Sequence, residues 1–273
     1  MRVSSVNVNG IRAAMRKGMA EWLARREPDF LLLQETRADA AIVSDLLGPK
    51  WHVAPEVSRL KGRAGVAVAS REEPVAVRAG LPGEKADVDS GRWVEADFDT
   101  PAGRLTLVST YFHSGTAGTP TMALKYAHLE LVSARLAELV RLAAAGERDV
   151  LVAGDFNIVV GPLDLRNYRA NHNRVAGALD PEMAYLHRWF GELGWRDVHR
   201  EVVGEVQGPY TWWSQRGRAF DNDTGWRIDY QIATPGLAAT ARTALVDRAP
   251  AWDARFSDHA PLTVDYVLAG RTA

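Results

Sequence analysis

The amino-acid sequence predicts an α+β fold in which two large β-sheets pack face to face and helices cover the outside. Eight segments rich in Val, Leu, Ile, Thr and aromatic residues are bounded by Gly, Pro or Asp, as strands usually are. A helical pattern follows the first segment, whereas later segments follow one another through short turns, which indicates antiparallel pairing. With 273 residues, 47% of them apolar, the chain is long enough to form both sheets in a single domain spanning 1–273.

The eight strand candidates are, in chain order, RVSSVNV, DFLLLQE, GVAVAS, RWVEADFD, RLTLVSTYF, DVLVAGDFN, WRIDYQIA and PLTVDYVL. Apolar residues at helical spacing predict helices over 17–26, 121–144 and 181–192, which lie between strand candidates. The third helix has Pro181 in its first turn, and we expect Asp180 to be its N-cap.

Composition excludes several functional classes. The net charge is −1, from 33 basic and 34 acidic residues, and proteins that hold nucleic acid by electrostatics alone are usually far more basic. The chain contains no cysteine, which excludes disulfides, thiolate metal sites and a cysteine nucleophile. It has neither an apolar run of transmembrane length nor a signal-peptide pattern at its start. We therefore expect a cytoplasmic protein with no membrane partner, and a monomer by default.

The most informative feature of the sequence is a set of polar residues at strand ends. A single Asp or Asn there is more simply a turn residue, because its side chain bonds its own backbone. Glu35 resists this explanation, since glutamate is a poor turn former, is costly to bury unpaired and directly follows an apolar run. Asp229 lies between Ile228 and Tyr230 in another apolar segment and needs a partner there. The candidate site residues of this kind are Asn7, Glu35, Asp155, Asn157, Asp229, Asp258 and His259.

The donor atoms of this set indicate which chemistry it supports. Hard oxygen donors dominate, with one imidazole and no thiol, which suits Mg²⁺ or Mn²⁺ better than zinc. The sequence has no G-x-S-x-G elbow and no G-x-x-x-x-G-K-[ST] or G-x-G-x-x-G motif. The residues therefore favour a metal-dependent site over a serine triad or a nucleotide-binding fold.

Six motifs carry a resemblance to a known family, namely NVNGIRA, LLLQETRA, STYFHSG, GDFNIV, GWRIDYQIAT and SDHAPL. In order and spacing they resemble the exonuclease III family of apurinic/apyrimidinic endonucleases, within the wider endonuclease/exonuclease/phosphatase group, from Arg2 to about Tyr266. The resemblance implies a four-layer α/β sandwich, in which two packed mixed sheets are flanked by helices. It also implies a Mg²⁺-dependent DNA-repair nuclease, with Mn²⁺ able to substitute. Such an enzyme cuts double-stranded DNA 5′ to abasic sites to leave a 3′-hydroxyl, degrades it as a 3′-to-5′ exonuclease and clears blocked 3′ ends.

The resemblance implies a metal-binding role for three residues. Glu35 would be the main metal carboxylate, and Asn7 and Asp258 would lie close to the ion. The reaction itself requires such a site, because phosphodiester hydrolysis needs an activated water, a stabilised dianion and relief of charge on the leaving alkoxide.

The remaining polar residues receive catalytic roles from the same resemblance. Asp155 would orient or deprotonate the attacking water, and Asn157 and Tyr111 would bond the scissile phosphate. His259, held by Asp229, would contact a phosphate oxygen, since an Asp–His pair fixes the tautomer and the orientation of the imidazole.

A tryptophan-rich segment bears on the substrate. By resemblance, Trp212, Trp226 and Ile228 would line an apolar pocket for a base-free deoxyribose flipped out of the duplex. The tryptophans of this segment could instead belong to the core. For Trp213, which follows Trp212, we favour the core. Arg216 lies in a tip loop between two site-bearing segments, where phosphate contact is an alternative to a solvated charge.

The loop 163–177 is polar, basic and rich in Asn, as a long functional loop is expected to be. We predict that five of its residues face the DNA backbone, namely Arg166, Asn167, Arg169, Asn171 and Arg174. Asp164 and Asn167 are alternatively internal braces of the loop.

Two positions depart from the family pattern. His113 stands where many members have proline, and the residues after GDFN lack the usual histidine. These departures put the loop geometry near the phosphate in question, although not the reaction class.

Two other functions are compatible with parts of the sequence. A phosphatase of the same superfamily that acts on a small or lipid phosphate ester would keep the metal centre, but the tryptophan-rich pocket and the Asn/Arg-rich loop argue against it. A non-catalytic DNA-binding scaffold would keep the fold, but the complete set of acids argues against it, because unused buried carboxylates are costly.

Overall fold

The computed structural model describes residues 1–268 and contains two mixed six-stranded sheets within them. The first sheet has the strand order Ala241–Val246 (β13), Leu262–Tyr266 (β14), Arg2–Asn7 (β1), Phe30–Gln34 (β2), Val66–Ser70 (β4) and His52–Glu56 (β3). The second has the order Ala76–Ala79 (β5), Trp93–Thr100 (β6), Gly103–Tyr111 (β7), Asp149–Asp155 (β8), Asp229–Ala233 (β12) and Arg196–Asp197 (β9). A separate two-stranded ribbon pairs Trp212–Trp213 (β10) with Gly225–Trp226 (β11).

The α-helices are Ile11–Ala14 (α1), Ala20–Arg26 (α2), Ala40–Leu47 (α3), Thr121–Ala144 (α4), Tyr168–Asn171 (α5), Asp180–Gly191 (α6), Val198–Val203 (α7) and Pro235–Ala238 (α8). A π-helical turn spans Met15–Met19, and 3₁₀ turns span Pro162–Asp164 and Trp252–Ala254. Among the helices of residues 1–268, none is both long and apolar enough to cross a membrane.

Apolar side chains divide the molecule into four layers. Between the sheets, Val3 and Leu32 of the first sheet pack against Leu107 and Leu151 of the second. The outer face of the first sheet is covered by a cluster that includes residues of α2 and α3, and the outer face of the second by residues of α4 and α6. The predicted α+β fold, a four-layer sandwich of two packed mixed sheets flanked by helices, is confirmed.

Each sheet contains one parallel pair of strands at its centre. Strands β1 and β2 run parallel, as do β7 and β8, and their neighbours β14 and β12 run antiparallel to them. The carboxyl ends of the parallel strands and the start of each antiparallel neighbour therefore lie at the same edge of the sandwich.

The predicted helix over 17–26 is wrong in its start, because Gly18 breaks the helical backbone with φ 107° and α2 begins only at Ala20. The predicted N-cap is also wrong by one residue, since Leu179 precedes the helix and Asp180 is its first residue. The Asp180 carboxylate instead accepts a hydrogen bond from Asn173.

The segment WRIDYQIA is two strands rather than one. Trp226 ends β11 and Asp229 begins β12. Between them, the backbone N–H of Arg227 donates to the carbonyl of Asp164, so this residue bonds a loop and not a sheet neighbour. Within residues 1–268, five strands were not predicted, namely β3, β5, β9, β10 and β13, and each of them lies at an edge of its sheet.

Gly154 in β8 has no room for a side chain, because a Cβ there would lie 1.8 Å from the carbonyl oxygen of Thr110 in β7. We expect Gly154→Ala to force these parallel strands apart and to lower the free energy of unfolding by at least about 3 kcal/mol. Urea denaturation followed by circular dichroism measures the loss.

The matched control is Gly191→Ala at the end of α6, where a Cβ meets no atom within 4 Å. We expect this variant to change stability by no more than about 1 kcal/mol. Equal stability of the two variants would contradict the close approach of β7 and β8.

Candidate active site

The strand register brings polar residues from both sheets to one edge. Asn7 ends β1, and Tyr111 and Asp155 end the parallel pair β7 and β8, in which they are register partners. Asp229 begins β12 directly opposite Asp155. His259 lies in the segment that leads into β14, the antiparallel neighbour of β1. We call Asn7, Glu35, Asp155, Asp229, Asp258 and His259 together the acidic cluster.

Asn7 joins two carboxylates of the acidic cluster. Its side-chain Nδ2 donates to Glu35 Oε1 at 2.8 Å and to Asp155 Oδ2 at 2.9 Å. Its Oδ1 accepts a hydrogen bond from the backbone N–H of Asn9. In this arrangement the amide serves as a donor between the acids, and its oxygen faces the backbone.

Asp155 is buried and surrounded by hydrogen-bond donors. Asn157 donates its backbone N–H to Oδ1 at 2.9 Å and its Nδ2 to Oδ2 at 3.1 Å, which becomes possible because Asn157 has φ 52°. Burial, with the nearby charges of Asp229 and Glu35, raises the pKa of Asp155 to about 7, although His259 opposes the shift.

His259 and Asp229 form a buried pair. His259 Nδ1 lies 2.8 Å from Asp229 Oδ2, so Nε2 points towards Asp155, whose Oδ2 is 3.7 Å away. Burial disfavours the charged imidazole, but the Asp229 and Asp155 carboxylates outweigh burial and raise the pKa of His259 to about 10. Within residues 1–268, Asp229 Oδ1 is buried without a hydrogen-bond partner.

Asp258 directly precedes His259 in the chain. Its Oδ1 accepts from Asn9 Nδ2 at 2.8 Å and its Oδ2 from Trp212 Nε1 at 3.1 Å. Burial would raise the pKa of this carboxyl, but His259, Asn9 and Trp212 together hold it below its usual value. Asp258 is therefore an ionised carboxylate beside the imidazole.

The acidic cluster opens into a cleft of about 540 Å³. One side of the cleft is apolar, with Trp212, Trp226 and Ile228, and the indole rings of the two tryptophans meet edge to face at 6.1 Å. The next residue of β10, Trp213, is 1% exposed and belongs to a separate apolar cluster. The prediction that Trp213 lies in the core is therefore confirmed. Burial, together with Glu35 and Asp155, raises the pKa of Tyr111 on the opposite side, so its hydroxyl stays protonated.

The polar residues Asn9 and Arg37 also line the cleft, although they were not among the predicted site residues. Arg37 donates Nε to Glu35 Oε2 at 3.0 Å and forms an ion pair with it. Asn9 lies within the motif NVNG and Arg37 within the motif QETR, each beside a strand end. This position could not identify them as site residues, because polar residues beside a strand end are more simply turn residues.

The predicted DNA-facing residues are divided between the cleft and the outer surface. Arg174 lines the cleft, whereas Arg166, Asn167, Arg169 and Arg216 are exposed and do not line it. Asn171 is half-buried and donates Nδ2 to the carbonyl of Asn167 within the loop.

Asp164 is an internal brace of the loop 163–177, as the alternative interpretation expected. It is 2% exposed, accepts hydrogen bonds from Arg200 and Arg227, and binds the backbone N–H of Val160. Arg227 is itself buried and also contacts Asp197. Because Arg227 lies between Trp226 and Ile228 in the chain, this ion network fixes the apolar side of the cleft.

A buried ion pair supports the opposite side of the cleft. Lys125 Nζ in α4 lies 2.5 Å from Glu182 Oε1 in α6, and it donates to the carbonyls of Asn157 and Ser114. Glu182 Oε2 accepts from the backbone N–H of Gly177. The pair thus connects two helices to three loop segments that border the cleft.

The donor chemistry of the acidic cluster fits a hard divalent cation. Glu35, Asp155 and Asp258 provide carboxylate oxygens, and Asp229 Oδ1 is a buried oxygen with no other partner in the described part of the chain.

This fold and acidic cluster place the chain among hydrolytic enzymes that act at a cleft between two packed sheets. The chain belongs to the endonuclease/exonuclease/phosphatase family, whose family model matches residues 4–259. That family depends on divalent metal ions, and the described residues include acidic and histidine groups that could hold one.

Individual relatives are similar along nearly the whole chain. An exodeoxyribonuclease from Bacillus subtilis is 32% identical over 263 residues, which cover 96% of this chain and 98% of the relative. The DNA repair nuclease APEX1 of Danio rerio is 30% identical and matches 97% of this chain and 81% of its own length.

Two solved structures share the fold at 27% identity and a TM-score of 0.82. One is a 3′ phosphatase from Neisseria bound to a product DNA hairpin, which matches 98% of this chain and 99% of its own. The other is an AP endonuclease from Archaeoglobus fulgidus, for which the shares are 97% and 99%.

We expect Lys125→Met to leave the Glu182 carboxylate buried without a counter-charge and to lower the free energy of unfolding by about 3–5 kcal/mol. Lys50→Met, at an exposed lysine, is the matched control and should be close to neutral. Chemical denaturation of both variants and of the double variant Lys125→Met/Glu182→Gln measures the coupling. The double variant should recover part of the loss, and equal stability of Lys125→Met and Lys50→Met would contradict a supporting role for the pair.

Proposed function

We propose that this chain is a Mg²⁺-dependent DNA-repair nuclease that hydrolyses the phosphodiester 5′ to an abasic site and leaves a 3′-hydroxyl. We further propose that it acts on duplex DNA as a 3′-to-5′ exonuclease and removes blocking groups from 3′ ends. The observation that carries the proposal is the position of the Asp229–His259 pair and Asp155 beside the apolar surface of Trp212, Trp226 and Ile228. Hydrolytic groups and a site for a base-free sugar share one cleft.

Asp155 is suited to act on the attacking water. A general base works best when its pKa lies near the operating pH, and the pKa of Asp155 is raised to about 7. Hydrogen bonds from Asn7 and Asn157 fix both of its oxygens, so the carboxylate keeps one orientation in the cleft. It would take a proton from the water as the new bond to phosphorus forms.

His259 is suited to stabilise the negative charge that develops on the phosphate. Asp229 binds Nδ1, so the proton on Nε2 is directed into the cleft. The raised pKa keeps the imidazole charged at neutral pH, and a charged donor in a water-poor site stabilises a dianion strongly. The neutral hydroxyl of Tyr111 would donate a further hydrogen bond to the phosphate.

Glu35 would hold the Mg²⁺ ion, with Asp258 and Asn7 nearby, and Mn²⁺ would substitute for it. A bound divalent ion supplies charge neutralisation for the phosphate and for the leaving oxygen. Arg37 forms an ion pair with Glu35, and we expect its guanidinium to compete with the cation for that carboxylate.

The apolar side of the cleft supports an abasic substrate. A sugar without its base is the cheapest nucleotide to flip from a duplex, because no stacking or pairing is lost. Trp212, Trp226 and Ile228 offer such a sugar an apolar surface, and Arg174 at the rim offers charge to a flanking phosphate. The similar Neisseria enzyme was solved with a product DNA hairpin, which also supports a DNA substrate.

Cleavage of a labelled duplex that contains one abasic-site analogue tests the proposal. With Mg²⁺ we expect one cut 5′ to the lesion, much faster than degradation of an undamaged duplex, and EDTA should abolish it. If the duplex stayed intact while small phosphate esters were hydrolysed, the chain would be a phosphatase and the tryptophan surface would serve packing alone. Metal-independent DNA binding without cleavage would indicate a scaffold.

The Asp229–His259 pair makes a prediction about pH dependence. Asp229 raises the pKa of His259, so Asp229→Asn should lower that pKa, and the alkaline limb of the activity profile should move to lower pH. Cleavage at neutral pH should fall by about 10²–10⁴-fold, with normal folding because the amide has the same shape. Rates measured between pH 5 and pH 11, a range of about six units, define both limbs.

Asp99→Asn is the matched control, since Asp99 is exposed and forms a surface ion pair with Arg104. Its pH–rate profile should coincide with that of the unchanged protein. An unshifted alkaline limb in Asp229→Asn would remove His259 from the proposed mechanism.

A further inference from the structure

Asp89, His113 and His128 form a second polar group, which we call the histidine cluster and which the proposed reaction does not use. His113 Nε2 lies 2.8 Å from Asp89 Oδ1, and His128 Nδ1 lies 3.7 Å from the same oxygen. One ligand atom from each residue lies within 4.8 Å of the other two. Three possible metal ligands from distant parts of the chain therefore converge on one point.

His128 is the most unusual member of the histidine cluster. Its side chain is fully buried, and neither ring nitrogen has a hydrogen-bond partner among residues 1–268. Its ring packs edge-on against Phe112 at 5.9 Å and against His113 at 5.2 Å. Buried polar atoms are nearly always bonded, so an imidazole in this state indicates a partner of another kind.

We propose that Asp89, His113 and His128 bind a divalent transition-metal ion such as Zn²⁺ or Co²⁺. Two imidazole nitrogens and one carboxylate oxygen form a donor set that these ions accept readily, whereas Mg²⁺ prefers oxygen ligands. The donor set thus differs in kind from the oxygen-rich acidic cluster.

The spacing of the donor atoms suits a small ion. Ligand atoms at about 2.1 Å from a tetrahedral metal lie about 3.4 Å apart. The two separations from Asp89 Oδ1, 2.8 and 3.7 Å, lie on either side of that value, and all three donor atoms lie within 4.8 Å of one another. Changes of about 1.4 Å or less in these separations would complete the geometry. Burial lowers the pKa of His113 to about 4 and that of His128 to about 3, so both are neutral near pH 7, as metal ligands must be.

The surroundings of the histidine cluster hold the ligands in place. Asp89 Oδ2 accepts the backbone N–H of Lys85 at 3.0 Å, which leaves Oδ1 directed at the histidines. His128 lies within the long helix α4, and His113 follows β7 by two residues. Such second-layer contacts orient metal ligands before the ion arrives.

An open cleft of about 400 Å³ reaches the histidine cluster through His113. The cleft provides an entry path and space for water as a fourth ligand. Arg92 also lines this cleft, and its charge opposes a cation, so we expect a dissociation constant in the range of about 1–100 µM rather than nanomolar.

A bound ion would connect the segment before β6, the end of β7 and helix α4. Tyr111, which lines the proposed nuclease site, ends β7 two residues before His113. The ion would therefore restrain one side of that cleft. His113 stands where the family pattern has proline, so this donor belongs to the present chain and is not carried over from the resemblance.

Titration of the metal-stripped protein with Co²⁺ in the presence of excess Mg²⁺ tests the proposal. We expect one equivalent of Co²⁺ to bind with a visible absorption band typical of nitrogen ligation, and Zn²⁺ to displace it. Zn²⁺ should also raise the melting temperature. His128→Gln should abolish the band and the shift, and His113→Asn should weaken Co²⁺ binding by at least about tenfold.

Glu35→Gln is the matched control, because it alters the acidic cluster and leaves the histidine cluster intact. The band should persist in this variant. Absence of binding in the unchanged protein, or a band that survives His113→Asn and disappears in Glu35→Gln, would overturn the proposal. His113 is near the surface, so His113→Asn gives a clear answer even if His128→Gln fails to fold. None of these readouts uses catalysis, so the outcome is independent of the nuclease proposal.

Discussion

The acidic cluster depends on the hydrogen bonds that Asn7 makes to Glu35 and Asp155 across the space between the sheets. Asn7 belongs to the first sheet and Asp155 to the second. Over most of this space apolar side chains fill the gap, and at this edge they give way to carboxylates. Because like charges repel and burial disfavours both, two acids can lie here only with a donor between them. At this edge the Asn7 amide therefore joins the two sheets and makes the cluster possible.

Buried ion pairs extend the same principle into the loops around the cleft. The strands are rigid, but the cleft is bordered by loops that the strands do not position. Lys125 with Glu182 on one side, and Arg227 with Asp164 and Asp197 on the other, connect those loops to the scaffold. Buried pairs contribute less to stability than to a unique arrangement, because each charge pays for its desolvation. In this molecule the buried pairs lie beside the loops that border the cleft, and they fix the positions of those loops.

Central strands could be predicted from the sequence, because they are buried on both faces and form continuous apolar runs. Edge strands such as β3 and β5 have one neighbour and partial exposure, so their sequences are mixed, and Pro55 within β3 conceals it further. Trp213 lies in the core, as predicted, whereas Trp212, assigned to the pocket by resemblance, lines the cleft.

Site residues at the ends of predicted strands could be predicted from the sequence. Residues whose hydrogen-bond or ion-pair partners are distant in sequence could not. The polar residues at strand ends do converge at one edge, while their catalytic roles remain predictions. Arg227 would ordinarily be taken as a solvated charge, and only Asp164 and Asp197, 63 and 30 residues away, place it in the interior. The histidine cluster is likewise assembled by the fold and has no local signature.

The pairing of β1 with β14 has a consequence for how the protein is made. Arg2 is the register partner of Asp265, so β1 pairs with a strand that is synthesised much later than itself. Asp258 and His259 directly precede that later strand and are synthesised with it. Contacts between residues this far apart form late, because closing the loop between them costs entropy. A growing chain thus carries the early acids for most of its synthesis without the histidine that completes them, and it gains the full cluster only when the sheet closes.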